Sequence, residues 1–151
     1  MKEKFTYDDM KLITRDKLGN QVPLELFRMI RLIGMHQALP MEGKGTTVTI
    51  GRKIGESLPV TSIEDILGFF ESFQIGIPSI VSQDENKLRI AVEDCFCKGL
   101  PVMEEKMVCD LEGAILEGAI NKVSNRKVTV REVKCNVHGD ERCEYEARFL
   151  S

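Results

Sequence analysis

The sequence contains no tryptophan, only two histidines, and no long apolar run. No stretch approaches the roughly 18 apolar residues that a membrane-spanning helix requires, so we expect no membrane span. The charged N-terminus, residues 1–11, lacks the apolar core of a signal peptide, and this predicts a cytoplasmic protein. Basic residues are not in excess either. The net charge is -3 and no basic stripe is present, so we expect no nucleic-acid partner.

What is present is typical of a globular domain. Of the 151 residues, 42% are apolar and 30% are charged, which is enough to build one hydrophobic core. The polar first 20 residues end in a turn signal, so we predict an N-terminal extension over 1–21 and a single domain over 22–151. Five cysteines in a cytosolic chain indicate metal ligation, reactivity or simple burial rather than disulfides.

Apolar periodicity predicts the order of the elements. In the first helix, Leu26, Ile30 and Ile33 are expected to face the core, opposite Arg28 and Arg31. Helices followed by a hairpin, a helix and a second hairpin predict an α+β fold, with an antiparallel sheet and helices packed on one side. The predicted helices cover 23–40, 46–57, 61 onward and 109–123, and the predicted strands cover 75–81, 87–97, 127–135 and 142–149.

Three cysteines and one glutamate are candidate metal ligands. Cys135 and Cys143 flank the last hairpin turn, and Cys109 begins a helix, where backbone amides favour a thiolate. Glu132 precedes Cys135 by three residues and could complete a tetrahedral zinc site. Seven residues separate the hairpin cysteines, more than in the strong zinc signatures, so the alternative is that the cysteines are small apolar core residues.

The C-terminal segment resembles the closing motif of the 4-vinyl reductase domain family, described as predicted hydrocarbon-binding proteins. The motif consists of Cys135, a Gly139-Asp140 turn, Cys143 and an acidic-aromatic tail. The helix that begins at Cys109 and carries paired glycines resembles the helix that precedes this motif in the family. The resemblance is specific over about 87–150 and only general over 22–80.

The resemblance implies a ligand-binding fold shared with trafficking-complex subunits and related to haem-based gas sensors. In phenol-sensing transcription activators that carry this domain, a cysteine before the helix, a glutamate and the two hairpin cysteines hold a zinc ion. The resemblance therefore implies that a structural zinc ion is bound by the matching residues here, which are Cys109, Glu132, Cys135 and Cys143.

The expected ligand set requires an irregular strand. Glu132 and Cys135 would point to opposite faces of a regular strand, because side chains alternate. We therefore predict a kink between Val133 and Cys135, and name His138 in the turn as the substitute ligand if the strand is straight. Cys95 and Cys97 are predicted to share one face of a strand and are not expected to bind zinc.

The resemblance also implies an internal apolar pocket between the helices and the sheet. Bulky apolar side chains at these positions are also what an ordinary core contains, so both interpretations remain open. The predicted lining consists of Phe27, Ile30, Ile33, Ile66, Phe69, Phe70, Phe73, Ile90, Val92, Phe96 and Met107, together with Leu88.

These expectations favour a sensor or carrier domain for an apolar, aromatic or lipid-like small molecule. We expect a homodimer, by the general preference for symmetry and by the resemblance, and output through a regulatory partner protein or the dimer itself. The alternative is a reductase-type enzyme or accessory protein acting on a vinyl or tetrapyrrole-like substrate, as the family name implies. The sequence offers no dinucleotide fingerprint, nucleophile–base pair or open metal site for that alternative. A haem sensor would need His36 or His138 as axial ligand.

Overall fold

The computed structural model describes residues 3–150 of the chain. Among these residues, no helix combines the length and the apolar character that crossing a membrane would take. The helices are α1 (Tyr7–Met10), α2 (Leu24–Arg28, continuing as a π-helix over Met29–Ala38), α3 (Lys44–Ser57), α4 (Ile63–Ser72) and α5 (Asp110–Ser124), with a 3-10 turn at Pro40–Gly43. The strands are β1 (Ile77–Gln83), β2 (Lys87–Glu93), β3 (Val128–Lys134) and β4 (Cys143–Phe149).

The four strands form one antiparallel sheet in the order β1-β2-β4-β3. One face presents Leu88, Ile90 and Val92 to the core, where all three are buried. On the opposite face, the Arg89 guanidinium pairs with Glu144 at 3.1 Å and Glu146 at 3.0 Å across neighbouring strands. Because one face is apolar and the other carries ion pairs, the helices cover one side only. The predicted α+β class, with an antiparallel sheet and helices on one side, is confirmed.

Helices α3 and α5 cross at glycines. A Cβ added at Gly55 would lie 2.2 Å from the carbonyl oxygen of Ile115, and one added at Gly118 would lie 2.2 Å from that of Arg52. The absence of side chains at these two positions therefore lets the backbones approach closely. On its other side α5 packs on the sheet, where a Cβ at Gly113 would lie 3.3 Å from the Tyr145 ring.

The first long helix differs from its prediction. Beyond Arg28 it is wound as a π-helix, whose i→i+5 hydrogen bonds change the angular position of each side chain. Arg31, predicted to be solvated, is buried, whereas Ile30 and Ile33 are exposed. The predicted inward face of this helix is therefore wrong, and its apolar residues form part of the surface.

Other boundaries differ by a few residues. Helix α4 is capped by Ser62, whose hydroxyl accepts from the Asp65 backbone N–H at 3.1 Å, one residue later than predicted. Asn125 ends α5 in a left-handed conformation with φ of 53°, as its predicted role as helix breaker requires. Strand β2 ends at Glu93, and Asp94 has φ of 51°. Residues 94–99 are therefore a loop and not the predicted continuation of the strand.

Candidate metal centre

Five cysteine side chains converge at one end of the sheet. Cys95 and Cys97 come from the loop after β2, and Cys109 is the residue that caps α5. Cys135 follows the end of β3, and Cys143 begins β4. All five are buried free thiols. Three separate stretches of chain thus contribute sulfur to one cluster.

Cys109 lies at the centre of this cysteine cluster. Its sulfur is 3.7 Å from that of Cys95, 3.4 Å from Cys97, 3.7 Å from Cys135 and 3.6 Å from Cys143. A disulfide bond is about 2.05 Å long, so these are non-bonded contacts.

The spacing of the sulfurs fits a single tetrahedral ion. With a Zn–S bond of about 2.3 Å, the edge of a sulfur tetrahedron is about 3.8 Å. The Cys97 sulfur also lies 4.0 Å from that of Cys135 and 3.6 Å from that of Cys143. Thiolates are the ligands that zinc and other thiophilic ions prefer. In a polynuclear iron–sulfur cluster, several iron and sulfide atoms would stand between the cysteines and hold them farther apart.

Glu132 reaches the edge of the cluster. One of its carboxylate oxygens lies within 4.8 Å of the sulfurs of Cys109 and Cys135. Its Oε2 also accepts a hydrogen bond from the Cys109 backbone N–H at 2.9 Å. Burial raises the pKa of Glu132 to about 8, and the charge of Cys135 adds to this. The strand register shifts between Glu132 and Lys134, and β3 ends there, which agrees with the kink predicted before Cys135.

A tight turn fixes the position of Cys135. Its carbonyl oxygen accepts from the backbone N–H groups of His138 at 3.0 Å and Asp140 at 3.1 Å, and its own N–H donates to Asp140 Oδ2 at 2.9 Å. Gly139 has φ of 112°, which only glycine adopts without strain. His138 Nδ1 lies 3.2 Å from Asp140 Oδ2, so the ring is engaged with the turn itself.

The thiols influence each other's ionisation. Hydrogen bonding from Cys109 lowers the pKa of Cys97 to about 4 and that of Cys135 to about 6. The pKa of Cys109 is raised, first by its contact with Cys135, because it acts as the donor. Some of the sulfurs are therefore thiolates at neutral pH, which is the form that binds metal.

Sequence reasoning does not include Cys95 and Cys97 in this site. The alternation of apolar residues predicts a strand that continues through Cys97, whereas the chain turns at Asp94. The signal that indicates a loop is the pair Gly99 and Pro101 directly after the two cysteines.

The residues predicted to line an internal pocket are distributed over core and surface. Five are buried and pack together in the core, namely Ile66, Phe70, Ile90, Val92 and Phe96. Three are partly buried against that core, namely Phe27, Phe69 and Met107. Ile30, Ile33 and Phe73 are exposed.

An apolar groove lies elsewhere, between the N-terminal segment and the helices. It has a volume of about 800 Å³ and is bordered by residues 5–22, the C-terminal half of α3 and the end of α4. Its apolar walls include Phe5, Met10, Ile54, Leu58 and Phe73, so Phe73 alone of the predicted pocket residues lines it.

The fold and the cysteine cluster define a class of small α+β domains that are closed by a cysteine-flanked hairpin. The family model for the vinyl-4-reductase domain matches residues 88–149. The chain is 30% identical to uncharacterized protein MJ0745 of Methanocaldococcus jannaschii, over 91% of this chain and 72% of that protein. It is 26% identical to uncharacterized protein MJ1642 of the same organism, over 89% of this chain and 83% of that one. The chain therefore belongs to the 4-vinyl reductase domain family.

Solved structures show the same fold. A vinyl-4-reductase family protein from Methanocaldococcus jannaschii superimposes with a TM-score of 0.65, at 20% identity over 89% of this chain and 86% of that one. The phenol-responsive sensory domain of the transcription activator PoxR, solved with phenol, gives 0.60 at 12% identity, over 85% and 75%. A trafficking protein particle complex subunit 3 from Naegleria fowleri, covalently bound to palmitic acid, gives 0.65 at 14% identity, over 85% and 95%.

Proposed function

We propose that this chain is a binding domain for an apolar, aromatic or lipid-like small molecule, with one structural zinc ion that holds its C-terminal hairpin in place. Two proteins that share the fold were solved with such molecules, phenol in one and palmitic acid in the other. The observation on this chain that carries the proposal is the apolar groove of about 800 Å³. Its volume is within the range of small-molecule sites, which is about 300–1,000 Å³.

The groove supplies apolar contact with a few polar groups at its edges. Aromatic and aliphatic side chains from α1, α3 and α4 form the walls, and the two ammonium groups of Lys11 and Lys53 lie at its border. Such a surface suits a molecule with a hydrophobic body and a polar or anionic end. The interior residues predicted from the sequence are the alternative location for the ligand.

The zinc ion has a structural role in this proposal. Cys109, Cys135 and Cys143 supply three thiolates, and the fourth ligand is either Glu132 or a cysteine of the loop after β2. Four protein ligands complete the coordination of zinc and leave no position for substrate or water. The ion would tie the final hairpin to the start of α5. Purified protein should accordingly contain about one zinc ion per chain.

A charge placed in the groove tests the binding proposal. Ile54→Glu should lower the affinity for palmitic acid or phenol by about tenfold or more, because a carboxylate in an apolar site must be desolvated. Ile54 lines the groove and is 37% exposed. Isothermal titration calorimetry with each compound measures the change, and mass spectrometry of gently extracted protein identifies any molecule that co-purifies.

Ile50→Glu is the matched control. Ile50 lies one turn earlier on α3 and is 39% exposed, but it does not line the groove. Its affinity should equal that of the wild type. Equal binding by both variants would move the ligand to the interior site, where Phe69→Ala should then weaken it. If neither compound binds and extraction yields no molecule, the binding proposal is wrong.

A further inference from the structure

We propose that the metal ion is bound by four thiolates, from Cys97, Cys109, Cys135 and Cys143, and that Glu132 lies outside this ligand set. This inference rests on the proposed zinc centre and specifies its chemistry. It differs from the three sulfurs and one carboxylate that the family resemblance implies, because Cys97 takes the place of the glutamate.

The sulfur distances support Cys97 as a ligand. Its sulfur lies 3.4 Å from Cys109, 3.6 Å from Cys143 and 4.0 Å from Cys135. With the two distances from Cys109 to the hairpin sulfurs, 3.7 and 3.6 Å, at least five of the six edges are between 3.4 and 4.0 Å. The edge expected for a zinc tetrathiolate is about 3.8 Å. The four sulfurs thus form a nearly regular tetrahedron.

Glu132 is already engaged in a different role. Its Oε2 accepts the Cys109 backbone N–H at 2.9 Å, and this bond holds the residue that caps α5. A hydrogen bond to a ligand residue orients that ligand without touching the metal. We therefore assign Glu132 as a positioning residue, which fixes the direction of the Cys109 sulfur.

Cys95 is the fifth thiol and is left outside the tetrahedron. Its sulfur is 3.7 Å from that of Cys109, and it lies within 4.8 Å of Cys97 and Cys143. Zinc in a structural site takes four ligands, so five sulfurs cannot all bind. Cys97, which is within 4.0 Å of three other sulfurs, is better placed than Cys95 to complete the set.

X-ray absorption of the zinc-loaded wild-type protein tests the ligand set directly. We expect four sulfur neighbours at about 2.3 Å and no oxygen neighbour at about 2.0–2.2 Å. This measurement requires no substitution, so it decides the matter even if a variant fails to fold. A shell of three sulfurs and one oxygen would overturn the assignment of Cys97 and would leave the zinc centre itself standing.

Three variants identify the fourth sulfur. Cys97→Ser should lose one sulfur from the shell and bind zinc at least about tenfold more weakly in competition with a chelator. Cys95→Ser and Glu132→Gln should keep four sulfurs. With Co²⁺ in place of zinc, the intensity of the sulfur-to-metal charge-transfer band reports the same count by a second method.

The outcomes distinguish this inference from the proposed function. A sulfur lost in Cys95→Ser but not in Cys97→Ser would overturn it in favour of the neighbouring cysteine. A shell that changes only in Glu132→Gln would overturn it in favour of the carboxylate. Wild-type protein that binds neither zinc nor Co²⁺ would overturn the metal centre and this inference together.

Discussion

An arginine and a glutamate form a buried ion pair close to the cysteine cluster. Arg31 Nη2 lies 3.0 Å from Glu112 Oε1, donates to the Val108 carbonyl at 3.0 Å and contacts Asp110 Oδ1 at 3.2 Å. The guanidinium also lies 4.8 Å from the centre of the Phe96 ring. The contact with Glu112 is close but is not aligned as a hydrogen bond, and both carboxylate oxygens lack a hydrogen-bond partner among the described residues. The pair therefore retains much of its desolvation cost.

That cost predicts a pH dependence of stability. Burial raises the pKa of Glu112 from its ordinary 4.5 to about 7, because desolvation outweighs the attraction of Arg31. Between these pH values the folded state keeps a proton that the unfolded state has lost, so the free energy of unfolding falls as pH rises. From pH 5.5 to 7, wild type should lose about 2 kcal/mol relative to Glu112→Gln. Urea unfolding of zinc-saturated protein across this range measures the difference.

Glu104→Gln serves as the control for this experiment, because it removes a negative charge from an exposed loop. Its free energy of unfolding should run parallel to that of the wild type with pH. Parallel profiles for Glu112→Gln would show that the buried carboxyl stays ionised throughout the range, contrary to the prediction.

The candidate site could be predicted residue by residue only where chain topology brings residues together. Cys135 and Cys143 flank a hairpin turn, so their proximity follows from the pairing of β3 and β4. Cys97 could not be placed, because its approach depends on the turn at Asp94, where φ is 51°. A left-handed residue that is not glycine leaves no clear sequence signal, and the alternating pattern of β2 continues through it.

At the scale of elements, the pairing of α3 with α5 follows directly from glycine placement. Gly55 and Gly118 each lie against a backbone carbonyl of the other helix. Gly118→Ala would bring a Cβ to 2.2 Å from the Arg52 carbonyl oxygen, so the helices would have to separate. We expect a loss of about 3 kcal/mol in the free energy of unfolding, at the upper end of overpacking costs. Thermal and urea denaturation measure it.

Gly68→Ala is the matched control in a helix interior. A Cβ at Gly68 would meet no atom within 4 Å in residues 3–150, so the substitution should stabilise the protein by about 0.5–1 kcal/mol. If Gly118→Ala were equally neutral, the close crossing of α3 and α5 would be incorrect.

The first long helix shows why an element can be predicted while its orientation is not. Periodicity and the prolines at its ends predict its extent over 23–40. They do not predict its π-helical winding from Met29, because periodicity assumes 3.6 residues per turn. The sequence also cannot distinguish an apolar face that meets the core from one that meets solvent or another chain.

At the scale of the whole molecule, this exposed helical face requires an explanation. Leu26, Met29, Ile30 and Ile33 form an apolar strip that is left on the surface. The arginines of the same helix point away from it. Arg28 donates to the carbonyl oxygens of residues 96 and 98, both at 2.7 Å, and Arg31 is buried. A neutral apolar strip can pair with an identical strip without like-charge repulsion, as a two-fold interface requires.

We therefore predict a homodimer that pairs this strip with its copy. Met29→Glu should weaken the dimer by about 100-fold or more, since it brings two carboxylates together across the symmetry axis. Sedimentation equilibrium should give wild type a mass of roughly twice 17.1 kDa and shift this variant towards 17.1 kDa. Met103→Glu is the control, because Met103 is 54% exposed, against 53% for Met29, and lies in a loop outside the strip. A monomeric wild type would contradict the homodimer and assign the strip to a different partner protein, and a dimer that survives Met29→Glu would place the interface on another surface.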